Sequence, residues 1–285
     1  MKYKSPVVIA HPQIQGALVE AEAVAAYLSG EGTNTTSGSL YDETIHHRMQ
    51  AGEFDLVIAL GGDGTMLRAG HLCAPHNIPI LGINMGRFGF MMEVSQDTWR
   101  EMICQLLEGN FRLEKRMMLR CEHWHDDNVQ GYWDVLNEAV VSRGLVGRPV
   151  HLTAYVDQRF LSTFVADGLI VATPTGSTAY ALAAGGPILP PELRNILLVP
   201  LAPHLSIDRS IVLAEGAAVA ITVHTTHQAI LSNDGQEPIP LRDNDYVTVH
   251  ASEFTVQFIR FQDPGYFYRN LTPHMSQNPA LGNHR

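Results

Sequence analysis

The sequence predicts two fold classes in one chain: an N-terminal Rossmann-like parallel α/β domain followed by an all-β sandwich. Three observations carry this reading. Apolar runs alternate with helically spaced segments up to Gly109, a series of short alternating runs follows it, and glycine clusters stand where two of the early apolar runs end.

The elements follow in order. Val7-Val8-Ile9-Ala10 is an unbroken apolar run, as a buried parallel strand requires. Residues 16–29 place Leu18, Ala21, Val24, Ala25 and Leu28 at helical spacing, with Gly30 as the expected C-terminal cap. A second strand is expected within 30–44, but that stretch is polar, rich in Gly, Thr and Ser, and lacks an apolar run. His46-His47 falls on a polar helix. Asp55–Leu60 reads as a second buried strand, 65–73 as a helix, Ile78–Ile83 as a strand and 97–108 as an amphipathic helix. After Gly109, strands are expected at 117–123, 132–141, 151–156, 160–165, 168–173, 196–201, 211–214, 218–224, 228–232, 245–250 and 254–261. Asp157-Gln158 and Asn233-Asp234-Gly235 read as hairpin turns, and a helix over about 176–184 interrupts the series. The change of pattern puts the domain boundary near residue 115, and the polar tail from Pro273 onward is expected to be mobile.

Composition removes several functions. Hydrophobic residues make up 45% and charged residues 17%, which excludes intrinsic disorder. A net charge of −10 argues against a nucleic-acid or anionic-membrane partner. Only three basic residues are lysines: Lys2, Lys4 and Lys115. None follows a glycine, so there is no Walker A loop, and only Lys115 lies far enough along to occupy a protein kinase's third strand. Cys73, Cys104 and Cys121 are odd in number and lack Cys-x-x-Cys spacing, against both a disulfide framework and structural zinc. The four apolar residues near the start are too few for a signal-peptide core, and no run reaches the ~18 that a membrane span needs. A soluble, cytoplasmic protein is expected.

Four stretches could carry chemistry. Gly61-Gly62-Asp63-Gly64-Thr65 joins a buried strand to a helix at the edge where open parallel sheets bind ligands. Its glycines let amides approach a phosphate, and the helix N-terminus adds partial positive charge. Asp63 is odd beside a phosphate unless it meets a sugar hydroxyl or a divalent ion; the plainer alternative is that it caps the helix. Gly82–Phe90 again follows a strand, with Asn84 in the loop, Arg87 able to reach a phosphate and Phe90 able to line a ring pocket, or else a tight turn over a buried Phe. Asn137-Glu138 sets an amide beside a carboxylate, and both serve one ligand only if the strand bends between them. Asp167–Pro191 is the most informative stretch: Thr173-Pro174-Thr175-Gly176-Ser177-Thr178 turns into Ala179-Tyr180, and its hydroxyls and helix-end amides suit an adenine edge or a phosphate. The histidines of His123-Trp124-His125-Asp126-Asp127 and His46-His47 invite a metal reading, but an exposed polar turn explains them more simply. His204 reads as a loop histidine.

Together these blocks resemble the NAD kinase family over about residues 55–260. Gly61–Leu67 resembles its first motif, Gly82–Gly86 with Gly89-Phe90 its second, Asn137-Glu138 its third, and Asp167-Gly168 through Thr175–Tyr180 to Gly185–Ile188 its longest; Pro203-His204 with Arg209, then Asp234, complete the order. Diacylglycerol kinases and phosphofructokinases share the first motif, whereas the Thr-Gly-Ser-Thr-Ala-Tyr segment points to NAD kinases. The resemblance implies an N-terminal domain of residues 1–115, joined by a returning segment of about 262–285, and a NAD-binding sandwich of 116–261. It implies ATP- or polyphosphate-dependent phosphorylation of the adenosine-ribose 2′-hydroxyl of NAD, with Mg²⁺ or Mn²⁺ and with no metal ligand identified. It further implies a homodimer or homotetramer, the common assembly of the family, in which neighbouring subunits close the pocket. Asp63 then matches the general base. Gly64, Asn84 and Phe90 fall in the NAD-binding set with Asn137 and Glu138 on the adenosine half. Thr175, Thr178 and Ala179 match the adenine contacts, Asp167 and Tyr180 positions near the nicotinamide side and the diphosphate, and Asp234 a second carboxylate near the reacting phosphate. Gly61, Gly62, Arg87 and Arg209 remain for the donor's phosphates. Four positions depart from the family pattern: Ala183 replaces a serine, Val165-Ala166 replaces more polar residues, and Phe88 replaces a leucine.

Overall fold

Parallel pairing of buried strands organises the first of two units, Met1–Lys115 with Val256–Arg285; Arg116–Thr255 forms the second. The computed structural model describes residues 3–86, 89–144, 148–204 and 207–276. β1 (Pro6–Ala10) is buried at every position. α1 (Ala17–Gly30) follows, turning Ala17, Ala21, Val24, Ala25 and Leu28 inward. It starts from Gly16, which has a left-handed φ of 79°, and Gly30 is its last helical residue rather than its cap.

β2 (Thr36–Ser39) is the expected strand that no apolar run marks. It pairs in parallel with β1 at the sheet's border and is only half-buried, so backbone pairing rather than side-chain burial holds it. α2 (Glu43–Gln50) is capped by Asp42, whose carboxylate accepts from the Thr44 and Ile45 amides. β3 (Leu56–Gly61) lies between β1 and β4 (Ile80–Asn84), parallel to both. Between them runs α3 (Asp63–Cys73), which starts two residues earlier than its apolar spacing predicts. After β5 (Val94–Ser95) comes α4 (Trp99–Glu108), ended by Gly109 at φ 84°. Leu56, Ile58, Leu60, Leu81, Ile83, Trp99 and Ile103 share one core, where each fully buried aliphatic side chain contributes about 1.5–3 kcal/mol.

The second unit is built of β6 (Arg112–His125), whose first residues lie in the first unit, β7 (Asn128–Val135), β8 (Glu138–Arg143), β9 (Val150–Val156), β10 (Arg159–Ala166) and β11 (Gly168–Ala172). A 3-10 turn (Gly176–Thr178) and the short α5 (Tyr180–Ala183) come next, where one helix was expected. Then follow β12 (Asn195–Leu201), β13 (Ile211–Ala214), β14 (Val219–His224), β15 (Ala229–Asn233), β16 (Ile239–Leu241) and β17 (Tyr246–Arg260). One sheet of this unit runs β10-β9-β14-β17-β6-β7 and the other β13-β12-β11-β8-β15-β16. Leu152, Phe164, Val219 and Val247 of the first meet Val141, Leu169, Leu198 and Leu231 of the second in a sandwich core. The opposite face of the second sheet carries Val140, Ile170, Ala172, Leu197 and Val199, packed with Ala181 of α5.

The run predicted as one strand over 132–141 is two, broken at Leu136-Asn137. Past residue 255, β17 belongs to the first unit, where Phe258 stands opposite Ile80 of β4 in parallel. α6 (Tyr266–Ser276) is helical into the tail expected to be mobile from Pro273; the rest of that tail lies outside the described residues. Among the described residues no helix is long and apolar enough to cross a membrane.

His123 and His125 do not sit on an exposed turn. The Asp245 side chain, 1% exposed, lies between them, with Oδ2 2.7 Å from His123 Nε2 and Oδ1 2.6 Å from His125 Nδ1. Asp245 Oδ2 also accepts from the Arg242 amide. Among the described residues no three His, Cys, Asp or Glu side chains are grouped to hold a metal ion. The bridge instead clasps the end of β6 to the turn before β17. Burial pushes the Asp245 carboxyl up, but the Arg242 amide and the two imidazoles outweigh it and hold the carboxyl below its ordinary range. A depressed carboxyl stabilises the fold above its unfolded pKa of ~3.9 and loses that contribution as pH falls through the folded value. Asp245→Asn is therefore expected to lower stability at pH 7 by about 2–4 kcal/mol. In urea unfolding, the gap to wild type should close as the pH is taken below ~4.

Candidate functional site

In the first unit, β3 delivers Gly61 and Gly62 to the N-terminus of α3. Gly62 is extended, the Thr65 amide donates to its carbonyl at 2.9 Å, and its own amide reaches Thr65 Oγ1 at 3.4 Å. Gly62 and Gly64 both border open space, so the helix end is accessible at its backbone. Asp63 is the first residue of the helix and does not cap it. Its Oδ2 accepts from the Phe90 amide at 2.8 Å and its Oδ1 from the Met91 amide at 3.1 Å. The two glycine loops are thus tied by a carboxylate. A Cβ on Gly89 would overlap that carboxylate, which is why the loop carries glycine there.

Asn84 closes β4 opposite Gly61. Its Nδ2 donates to the Gly86 carbonyl at 2.7 Å, while its buried Oδ1 has no partner. Arg87 and Phe88 lie outside the described residues.

In the second unit, Asp234 does for Asn137-Glu138 what Asp63 does for the glycine loops. It occupies the β15–β16 hairpin turn at φ 50°. One oxygen accepts from the Leu136 amide at 2.7 Å, and the other from the Asn137 and Glu138 amides at 2.8 and 2.9 Å. The chain bends here between β7 and β8, which is the break the adjacent pair needs to serve one ligand. Thr173 fixes the bend from the other side: its hydroxyl donates to the Leu136 carbonyl and accepts from the Gly176 amide, and its own amide donates to the Asn137 carbonyl. A Cβ on Gly176 would overlap the Asn137 carbonyl.

Around this bend, buried polar atoms are left over. Asn137 Oδ1, Glu138 Oε2 and both amide atoms of Asn233 have no partner. Such atoms cost on the order of 1–3 kcal/mol each unless a ligand or water satisfies them. Thr175 is buried, Thr178 Oγ1 donates to its carbonyl at 3.1 Å, and the Ala179 amide donates to the Gly176 carbonyl. Tyr180 is half exposed, and its amide donates to the Glu138 carboxyl.

Two expected members stand apart. Asp167 receives Arg143 Nη2 at 2.8 Å at the far end of β11, because Ala172 is paired with Glu138 and Gly168 with Ser142. At ~3.3 Å per residue, the strand separates Asp167 from the Thr173 turn by roughly 20 Å. Arg209 is in solvent, 3.6 Å from Asp208. The neighbouring Leu205 and Ser206 are outside the described residues, and His204 donates its amide to Val165. Sequence reading did not single out Met91, whose contribution is a backbone amide, or Asn233 as more than a turn residue. The signal for Asn233 was a side-chain amide at the end of a strand that opens on the apolar run Ala229-Ile230-Leu231.

Burial pushes the Glu138 carboxyl up to about 8; the charge of Asp234 adds to this and the Tyr180 amide opposes it. It is therefore largely neutral at pH 7. A raised carboxyl favours the fold fully below its unfolded pKa of 4.5, and that advantage is lost as pH rises toward about 8. Glu138→Gln abolishes the titration. The stability of wild type relative to Glu138→Gln is expected to decline between pH 5 and 8 and then level off, as read from denaturant midpoints across that range.

Residues 8–111 match the family model described as the ATP-NAD kinase N-terminal domain, and 136–261 the ATP-NAD kinase C-terminal domain. The chain is 38% identical over 271 residues to a NAD kinase of Chloroflexus aurantiacus, covering 95% of this chain and 98% of the relative. It is 40% identical over 226 residues to a NAD kinase of Heliobacterium modesticaldum, covering 79% and 80%. Among solved structures, the yeast NADH kinase complexed with NADH superposes with a TM-score of 0.83 at 22% identity, over 100% of this chain and 91% of that one. The NAD kinase from Archaeoglobus fulgidus in complex with ATP gives 0.75 at 25%, over 95% and 98%.

Proposed function

The chain belongs to the NAD kinase family of phosphotransferases, and from that premise we propose that it transfers a phosphoryl group from ATP, or polyphosphate, to the 2′-hydroxyl of the adenosine ribose of NAD, giving NADP. The observation that carries this reading is Asp63, a carboxylate fixed by two amides beside an open helix N-terminus.

Phosphoryl transfer has a loose transition state, so catalysis is mainly positioning and charge neutralisation. Asp63 accepts the ribose hydroxyl proton as general base. Its two amide bonds hold both oxygens in place and leave each a further lone pair. Gly61, Gly62 and Gly64 are assigned to the donor's phosphates, the last two bordering open space, with Arg87 and Arg209 as the cations of this lysine-poor chain. On the dinucleotide side, Asn137 Oδ1 and the neutral Glu138 carboxyl take the adenosine half, Thr175, Thr178 and Ala179 the adenine edge, and Tyr180 the diphosphate; Asn84 and Phe90 are the NAD-binding positions we assign in the first unit. Asp234 acts by holding the bend at 136–138.

A divalent ion, Mg²⁺ or Mn²⁺, would be carried mostly by the donor's phosphates, with Asp63 as the carboxylate that would hold it, since Mg²⁺ commonly binds through one or two carboxylates plus phosphates. When bound, it neutralises charge on the phosphates.

We propose a homodimer or homotetramer whose neighbouring subunits close the pocket, and we keep Asp167, at the opposite end of β11 from the Thr173 turn, for the nicotinamide side and the diphosphate. The cytoplasm is the compartment we propose, in keeping with three free thiols.

Asp63→Asn keeps the side chain's shape but removes the base. Turnover is expected to fall about 10²–10⁴-fold while the Kd for NAD by calorimetry changes only a few-fold. Near-normal turnover in the folded variant sinks the assignment. Light scattering at micromolar protein should give a dimer or tetramer mass; a monomer overturns the shared pocket.

A further inference from the structure

We propose that Arg260 is a positioning residue for the transfer reaction, acting on Asp63 through the backbone of Met91. This rests on the reading of Asp63 as general base. Arg260 ends β17 and is only 4% exposed. Its Nη1 donates to the Met91 carbonyl at 2.8 Å. One residue's backbone therefore faces both ways: the Met91 carbonyl accepts from Arg260, and the Met91 amide donates to Asp63.

The guanidinium is itself pinned. Arg260 Nε donates to Glu114 Oε1 at 3.1 Å and lies 3.8 Å from Glu93 Oε1, both carboxylates being buried. Arg112 Nη2 holds the other oxygen of Glu114 at 3.2 Å, and Glu93 Oε2 accepts from the Phe261 and Gln262 amides. Glu93 thus anchors the far end of the segment that Met91 opens, and Arg260 spans the two.

A buried ion pair is weak support for stability, since desolvation cancels much of its attraction. What this one supplies is a fixed direction for the Phe90 and Met91 amides. Only a planar fork gives Glu114 and the Met91 carbonyl their bonds at once; a lysine ammonium keeps the charge but not that geometry. An error of about 1 Å in placing a reacting group costs about 10²-fold in rate.

The test is Arg260→Lys, alone and combined with Asp63→Asn, with kcat, the KM for NAD and the calorimetric Kd for NAD measured on folded protein. Arg260→Lys is expected to lower kcat about 10- to 100-fold with Kd and KM for NAD changed less than about two-fold. The double variant is expected to be no slower than Asp63→Asn, because the two residues act through one group. Wild-type kcat in Arg260→Lys overturns the proposal, and so do losses that multiply in the double variant. Should Arg260→Lys not fold, Glu114→Gln loosens the same guanidinium and is expected to give the same split at smaller size; an unchanged kcat there overturns the proposal equally. Full turnover in Asp63→Asn would instead sink the general-base reading, and a dead Asp63→Asn beside an unimpaired Arg260→Lys would leave that reading standing without the relay.

Discussion

An aspartate accepting backbone amides from a neighbouring loop is the interaction on which the candidate residues of each unit depend. Asp63 gathers the Phe90 and Met91 amides, and Asp234 gathers those of Leu136, Asn137 and Glu138. A charged acceptor makes each such bond stronger than one between neutral groups, and several bonds to one carboxylate fix a loop's direction as well as its position. With three lysines among its nineteen Lys and Arg residues, the protein has few ammonium groups for this work and uses main-chain donors instead.

The architecture was legible where burial leaves a compositional mark. The apolar runs of β1, β3 and β4 and the alternation after Gly109 located the sheets and the change of fold class. β2 left no mark because Thr36–Ser39 is held by pairing with β1 alone. The start of α3 was placed late because its first two residues are Asp63 and Gly64, polar and absent from the apolar repeat. The site motifs were visible as residue types, but their employment was not. A capping aspartate and one that binds another loop look alike in sequence, and the amides that separate the cases lie 27 and 28 residues away. His123 and His125 were read as exposed because Asp245, which claims them, is over a hundred residues distant.

Glu138 shows how burial changes what a residue type can do. As an ionised carboxylate it could only accept; kept neutral by burial and by Asp234, it can also donate one hydrogen bond. The same desolvation that makes it costly to the fold prepares it for hydroxyl- and nitrogen-rich ligands. Site preorganisation and local instability here are one physical fact, the enclosure of polar atoms without partners.

The passage of β17 from one unit into the other sets an order for synthesis. Everything Arg116–Thr255 needs has been made by the time Thr255 emerges, so that unit can close during translation. The first unit has most of its strands much earlier, yet β4 waits for Phe258 and the carboxylates of Glu93 and Glu114 wait for Arg260. Until then it carries an open sheet border and two negative groups that its core cannot comfortably enclose. The N-terminal unit, though translated first, is completed last, and a ribosome stalled before residue 256 would release a chain whose sandwich is whole and whose Asp63 has no settled loop to hold.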